Sequence, residues 1–306
     1  MDPTHALSRP SFSSELLTRV LESRPEKIDT LDAWLARHRS IVRSYEEPIM
    51  AAIAAGAGTD RLAWAFGSGY QCAGRVLVPT MDPSRIGALC ATEMGGAHPR
   101  AIETRLSDGA LYGMKAFVTF GMEAEVLIVI ASEGRDGDRN RLRAVVVDRD
   151  APGLVFEPLG ETPFVPEISH ATLRLEGARG RVLEGDGYTQ YLKPFRTIED
   201  THVLAAALAH MVTLGNEHNV EETFFERACA TLLALIEISR MPPLDPATHL
   251  ALAGAQVGLR SMIDQLDALS LGGYWERDRP LFNVAGKARA QRREAAWQRI
   301  RGYGYG

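Results

Sequence analysis

A change of hydrophobic period constrains this chain most. Between about residues 86 and 184 the segments EVLIVIAS (125–132), LRAVVVD (142–148), LVFEPL (154–159) and HATLRLEG (170–177) are short, β-rich and separated by Gly, Pro and Asp. No long helical pattern lies between them. That predicts an antiparallel sheet or barrel rather than a doubly wound parallel sheet. On both sides the period is helical.

Before the strands, Ile28, Leu31, Leu35, His38, Ile41 or Val42, and Tyr45 recur at three-to-four spacing, with Asp29 or Thr30 as N-cap. A second run from Arg61 to about Arg75 follows the break AAGAGT. After the strands, four helical segments are expected: Thr197 to about Leu214, Val220–Arg240, Pro246–Leu271 and Arg279–Arg301. The chain therefore reads as α+β in three parts: an N-terminal helical domain (1–84), a middle antiparallel β-domain (85–190) and a C-terminal four-helix bundle (191–306).

Bulk properties exclude several classes. The 306 residues carry a net charge of −5, with 45% apolar and 24% charged residues, which points away from a nucleic-acid surface. The N-terminus lacks a signal-peptide pattern, and the longest apolar runs, Val126–Ala131 and Val203–Ala209, are too short to span a bilayer. Cys72, Cys90 and Cys229 lack zinc or redox spacing and read as reduced thiols of a cytoplasmic protein.

The stretch LCATEMGGAHPRAIETRLSDGALYGMKAFVTF (89–120) opens as a strand, breaks on two glycines and resumes as alternating strands. A simple hairpin does not need that break. The segments ATEMGG (91–96), LYGMKAFVTF (111–120), DAPGLVFEPLG (150–160), VLEGDGYTQYLKPFR (182–196) and GYGYG (302–306) together resemble, in order and spacing, the acyl-CoA dehydrogenase family. The first looks like its Thr-Glu-x-Gly segment and the second like its Gly-x-Lys-x-aromatic-hydrophobic-Thr segment.

The resemblance implies a dehydrogenase of acyl-CoA or another acyl thioester that uses FAD. It places the cofactor against Cys90, Ala91, Thr92, Gly95, Gly96 and His98, against Phe117, Val118 and Thr119, and near Gly302 and Gly304. Thr92 and Thr119 offer hydroxyls to a flavin edge, Phe117 a flat wall, and the two glycines close approach. Phe117 also fits ordinary strand alternation with Ala116 and Val118, and the glycines a plain turn. The family's small hydroxyl residue and acid after the glycines are replaced by His98 and Pro99. Its Arg-x-x-Phe-Gly motif is replaced by NEHNVEETFFERACA (216–230). Weak FAD binding is the expectation. A homo-dimer or tetramer is implied, with the fourth C-terminal helix near the partner's β-domain; the alternative is a heteromer with a full-length relative.

The family's usual catalytic glutamate would lie beyond GYGYG. Some branches carry it on the first C-terminal helix, where FRTIEDTHVLAA (195–206) supplies Glu199 and Asp200. Asp200 aligns closest to that base, with Glu199 next. Thr197-x-x-Asp200 equally has the spacing of a capping box, and acids in a first helical turn are favoured by the helix dipole. His202, His210 and His218 do not share metal-binding spacing, His170 and His249 read as structural, and GRDGDRNRLR (134–143) reads as a solvated hairpin loop. Two functions remain: a flavin-dependent oxidoreductase, and a helper subunit of this fold that has lost its flavin grip.

Overall fold

Thr30 starts the first long helix by accepting the Ala33 N–H on its hydroxyl at 3.2 Å, satisfying one of the donors a helix start leaves over. In the computed structural model, which describes residues 14–303, four helices precede the strands: α1 (Ser14–Leu21), α2 (Leu31–Val42), α3 (Pro48–Gly56) and α4 (Leu62–Leu77).

The strands are β1 (Gly87–Cys90), β2 (Arg105–Ser107), β3 (Ala110–Thr119), β4 (Val126–Asp136), β5 (Arg139–Asp148), β6 (Leu154–Pro158), β7 (His170–Arg179) and β8 (Arg181–Val182). They form one sheet in the order β6-β7-β3-β2-β4-β5-β8, with β1 alongside β4. Most pairings are antiparallel, as expected, but two are parallel. β1 pairs with β4 in parallel from Gly87↔Val126 to Cys90↔Val129, and β2 meets β4 in parallel at Arg105↔Ser132. The chain leaves β1 through the glycine turn, makes the β2–β3 hairpin, and then returns along its earlier direction. The solvated-loop reading of 134–143 also shortens: both strands run through it, leaving Gly137–Asp138 as the turn.

The C-terminal part holds α5 (Lys193–Glu217), α6 (Glu222–Arg240), α7 (Pro246–Ala268), α8 (Gly273–Asp278), α9 (Leu281–Val284) and α10 (Gly286–Tyr303). The expected fourth helix is thus divided. Gly272 and Gly273 take positive φ after α7, and Pro280 caps a separate short helix. Helix α5 is the axis of the helical part. It packs on α3, α4 and α6, and its residues from Val203 to Gly215 are all buried. Contact this close needs residues without side chains: a Cβ on Gly56 would stand 2.2 Å from the Ala206 carbonyl oxygen, and one on Gly69 2.6 Å from Val203 Cα.

Between the helices and the sheet lies an aromatic layer. Trp34 stacks on Trp64 and Phe120 at ring-centre distances of 5.7 and 5.4 Å, and Tyr70 meets Phe120 and Phe195 at 5.9 Å each. Phe120 directly follows β3, so this layer ties that inner strand of the sheet to α2, α4 and α5.

Candidate active site

The two glycines close a tight turn. Glu93 and Gly96 exchange backbone hydrogen bonds at 3.1 and 2.8 Å, and Gly96 sits at φ +95°, a conformation glycine adopts at little cost. The turn is then anchored from beneath. Lys115, fully buried on β3, donates to Glu93 Oε1 at 2.6 Å and to the Ile130 carbonyl at 2.6 Å. The Glu93 carboxylate also accepts the Glu103 and Thr104 N–H groups at 2.7 and 3.1 Å. Burial alone would push the Glu93 carboxyl up, but the Lys115 charge and these hydrogen bonds hold it below its ordinary value. Burial lowers the Lys115 ammonium against the pull of Glu93.

That anchor sets Thr92 beside β3. The Thr92 carbonyl accepts the Ala116 N–H at 2.8 Å, so the first segment of the resemblance lies against the second. Ala91 and Cys90 are buried beneath, and burial pushes the Cys90 thiol up to about 12, leaving it an inert thiol.

Phe117 does not follow simple strand alternation. The β3–β7 register shifts between Lys115 and Val118, and Phe117 takes a left-handed φ of 59° at this bulge. Its ring is 50% exposed and stacks on His170 with centroids 4.1 Å apart. Val118 is fully buried, and Thr119, half-buried, faces His170 in register. A left-handed aromatic residue on a bulge costs energy, and Phe120, three residues on, shares that conformation.

His98 is exposed, and its Nδ1 accepts the Arg100 N–H at 3.2 Å, capping a single 3₁₀ turn at Pro99–Ala101. Arg196 of α5 donates to the Ala97 carbonyl at 3.2 Å, so α5 reaches the same loop.

The capping reading of Thr197 and Asp200 is overturned. The chain leaves the sheet through one π turn, Gly187–Leu192, which Asp186 caps by accepting the Tyr188 and Thr189 N–H groups. α5 then begins at Lys193 with Pro194 in its first turn, where a missing N–H is harmless. Thr197 and Asp200 therefore lie inside the helix. Thr197 Oγ1 meets His249 Nε2 at 3.3 Å. Asp200 accepts Arg289 Nε at 3.0 Å and Nη2 at 2.8 Å on one oxygen, and Arg292 on the other. Both arginines come from α10.

Glu199 differs from its neighbour. Its half-buried side chain makes no hydrogen bond or ion pair among the described residues. Burial raises its carboxyl to about 7, the Asp200 charge adds to this, and Arg289, Arg292 and Arg196 oppose it. It stands close enough to Tyr70 for its charge to raise the phenol, whose pKa burial also lifts well above the ordinary value. The Tyr70 oxygen accepts the Leu89 N–H of β1 at 3.0 Å. Glu199 thus sits at the seam between α4, α5 and the end of β1.

The chain brings together Cys90, Ala91, Thr92, the turn with Gly95 and Gly96, Phe117, Val118 and Thr119 on one side, with Glu199 across the seam. Gly302 lies exposed in the last turn of α10, which packs on α7, and Gly304 falls outside the described residues. Sequence reasoning missed Tyr70, the Glu93–Lys115 anchor and the Arg289–Arg292 pair. Glu93 and Lys115 lay inside the two quoted segments; Tyr70 and the arginines carry no local signal.

No protein-family model matches the sequence, and no curated protein matches it either. Solved structures do match in fold. Butyryl-CoA dehydrogenase from Megasphaera elsdenii superposes with a TM-score of 0.64 at 13% identity, over 93% of this chain and 94% of that one. Glutaryl-CoA dehydrogenase from Mycobacterium smegmatis gives 0.64 at 14% identity, over 92% of each chain. The prolyl acyl carrier protein oxidase AnaB gives 0.59 at 17%, over 94% of this chain and 89% of that one. The order of helices, sheet and helices therefore matches one known architecture, and the chain has the acyl-CoA dehydrogenase fold.

Proposed function

We propose that this chain is a flavin-dependent oxidoreductase acting on a CH–CH bond of an acyl thioester, with Glu199 as the base. The observation that carries this reading is Glu199 itself: a carboxyl without a hydrogen-bond or ion-pair partner among the described residues, raised to about 7, beside Tyr70 and the end of β1. A group titrating there is ionised enough at neutral pH to accept a proton and basic enough to hold it. Asp200 is the poorer candidate because both its oxygens are held by arginines.

The residues on the sheet side fit a flavin ring. The exposed Phe117 ring, fixed by the bulge and by His170, offers a flat wall, and Thr92 and Thr119 offer hydroxyls beside it. FAD, when bound, supplies the hydride acceptor. Glu199 takes the proton from the carbon next to the thioester carbonyl: that C–H bond breaks, an O–H bond forms on the carboxylate, and the electron pair left behind forms the new double bond as the next carbon's C–H bond breaks and its hydrogen leaves as hydride. Asp200 keeps Arg289 and Arg292 turned away from Glu199, which preserves its basicity. The aromatic layer behind Tyr70 excludes water from that side.

FAD affinity is low in this proposal. Pro99 has no N–H to give and His98 Nδ1 is committed to Arg100. Losing two charge-assisted contacts weakens binding by about two to four decades. The thiol carrying the acyl group is coenzyme A or a carrier protein, and the working assembly is a homo-dimer or tetramer. The same weak grip favours a second reading, a helper subunit of this fold paired with a full-length relative. An absorbance titration with FAD decides between them. Saturable flavin uptake, with acyl-thioester turnover lost in Glu199→Gln, supports the oxidoreductase. A protein that stays colourless at millimolar FAD sinks it.

A further inference from the structure

On another face of α5, Thr197, Ile198, Thr201 and His202 line a cavity of about 470 Å³ closed by the end of α4, the π turn and the α6–α7 connection. Glu199 and the strands take no part in it. It continues into a second cavity of about 400 Å³, the two meeting at Val76, His202 and Ser239.

The lining of the first cavity is richer in hydrogen-bond acceptors than in donors, which come from the Gln190 amide at its rim. Its walls are apolar, from Leu77, Ile198, Ile238 and Leu244, and none of its lining residues is Asp, Glu, Lys or Arg. Four of its five hydroxyls have already spent their protons; the fifth, Thr197, faces His249 Nε2 at 3.3 Å. Thr201 donates to the Thr197 carbonyl at 2.8 Å, Thr248 to Pro242 at 2.7 Å, Ser239 to Ile236 at 2.6 Å and Thr189 to Asp186 at 2.9 Å. Each keeps only lone pairs. His202, 1% exposed, follows the same pattern: its Nδ1 lies 2.8 Å from the Ile198 carbonyl, which fixes the proton on that nitrogen. Nε2 then carries a lone pair and has no partner among the described residues. Burial lowers the ring to about 4, so it stays neutral at physiological pH.

We infer that this cavity binds a neutral amphiphile of medium chain length whose polar end donates a hydrogen bond to His202 Nε2. An anion meets no lysine or arginine in this lining to offset its desolvation, and a molecule without a donor leaves Nε2 unpaired, which costs affinity. A primary amide or an alcohol on an apolar body of roughly eight carbons matches both the volume and the chemistry.

Octanamide is the probe, with methyl octanoate as the donor-free control and octanoate as the anionic one. Calorimetric titration of the full-length protein is expected to give octanamide a Kd on the order of 10⁻⁴ M, with both controls at least about 5-fold weaker. The Nε2 nitrogen resonance of His202 should move with octanamide alone. Gln190→Trp, an exposed change at the rim, should block binding without disturbing the fold. His202→Leu should erase the preference for octanamide over the ester. Equal affinity for amide and ester, a silent Nε2 resonance, or unchanged binding in a folded Gln190→Trp protein would each overturn the inference.

Discussion

Two glutamates on either side of the seam show how one functional group serves opposite ends. Glu93 has a lysine and two backbone N–H groups within 3.1 Å, and its carboxyl is held below the ordinary range. Glu199 has no hydrogen-bond or ion-pair partner among the described residues, and its carboxyl is raised to about 7. The first is spent on holding the turn and cannot exchange a proton near neutrality. The second contributes nothing to holding the fold and is left able to react. Burial acts on both; the partners decide the outcome.

The largest test of that contrast is Glu199→Gln. Turnover per folded molecule should fall by roughly 10²–10⁴-fold, the usual worth of a general base, measured by single-turnover assay on acyl thioesters. Unchanged turnover would move the base elsewhere. Next is Lys115→Met, which strands the Glu93 charge in the interior. Urea melts should show a loss of about 3–5 kcal/mol, with part of it regained in the Glu93→Gln, Lys115→Met double variant. If the single variant is as stable as the parent, Glu93 is not the anchor described above.

Asp200→Asn sharpens the comparison at one residue's distance. It weakens the hold on Arg289 and Arg292 and should cost about 1–3 kcal/mol. It also removes a negative neighbour from Glu199 and frees two cations, so the Glu199 titration should move to lower pH. A pH–rate profile that keeps its midpoint would count against the coupling. The smallest effect concerns stability alone. The Glu199 carboxyl binds its proton more tightly folded than unfolded, so ionising it costs stability. The cost is absent below about pH 4.5, grows up to about pH 7 and stays constant above it. Glu199→Gln should therefore be stabilising by about 1–2 kcal/mol at pH 8 and close to neutral at pH 4. Equal melting shifts at both pH values would show that Glu199 titrates normally.

Much of this was legible in the sequence where neighbours along the chain decide the structure. Period changes placed the helices and strands, Thr30 announced its cap, and ATEMGG and LYGMKAFVTF, quoted together, meet through the Ala116 N–H on the Thr92 carbonyl. The site itself was less legible because distant residues decide it. Asp200 read as the closer base because its partners, Arg289 and Arg292, lie on another helix near the end of the chain. Thr197 read as a cap because the π turn that moves the helix start to Lys193 leaves no simple pattern. Phe117's left-handed backbone comes from a register shift against β7, which one strand cannot reveal.

The π turn at Gly187–Leu192 has a consequence for α5 as a whole. The phase of that helix is set twice: by close packing at Gly56 and Gly69 on one side, and by where the chain exits the sheet on the other. A wider turn, closed by Lys193 N–H on the Tyr188 carbonyl, absorbs one residue between the two settings. One residue of an α-helix is a rotation of about 100°. The turn therefore works as an indexing step: it selects which of two adjacent carboxylates is dialled toward Tyr70 and which is turned to the arginines of α10.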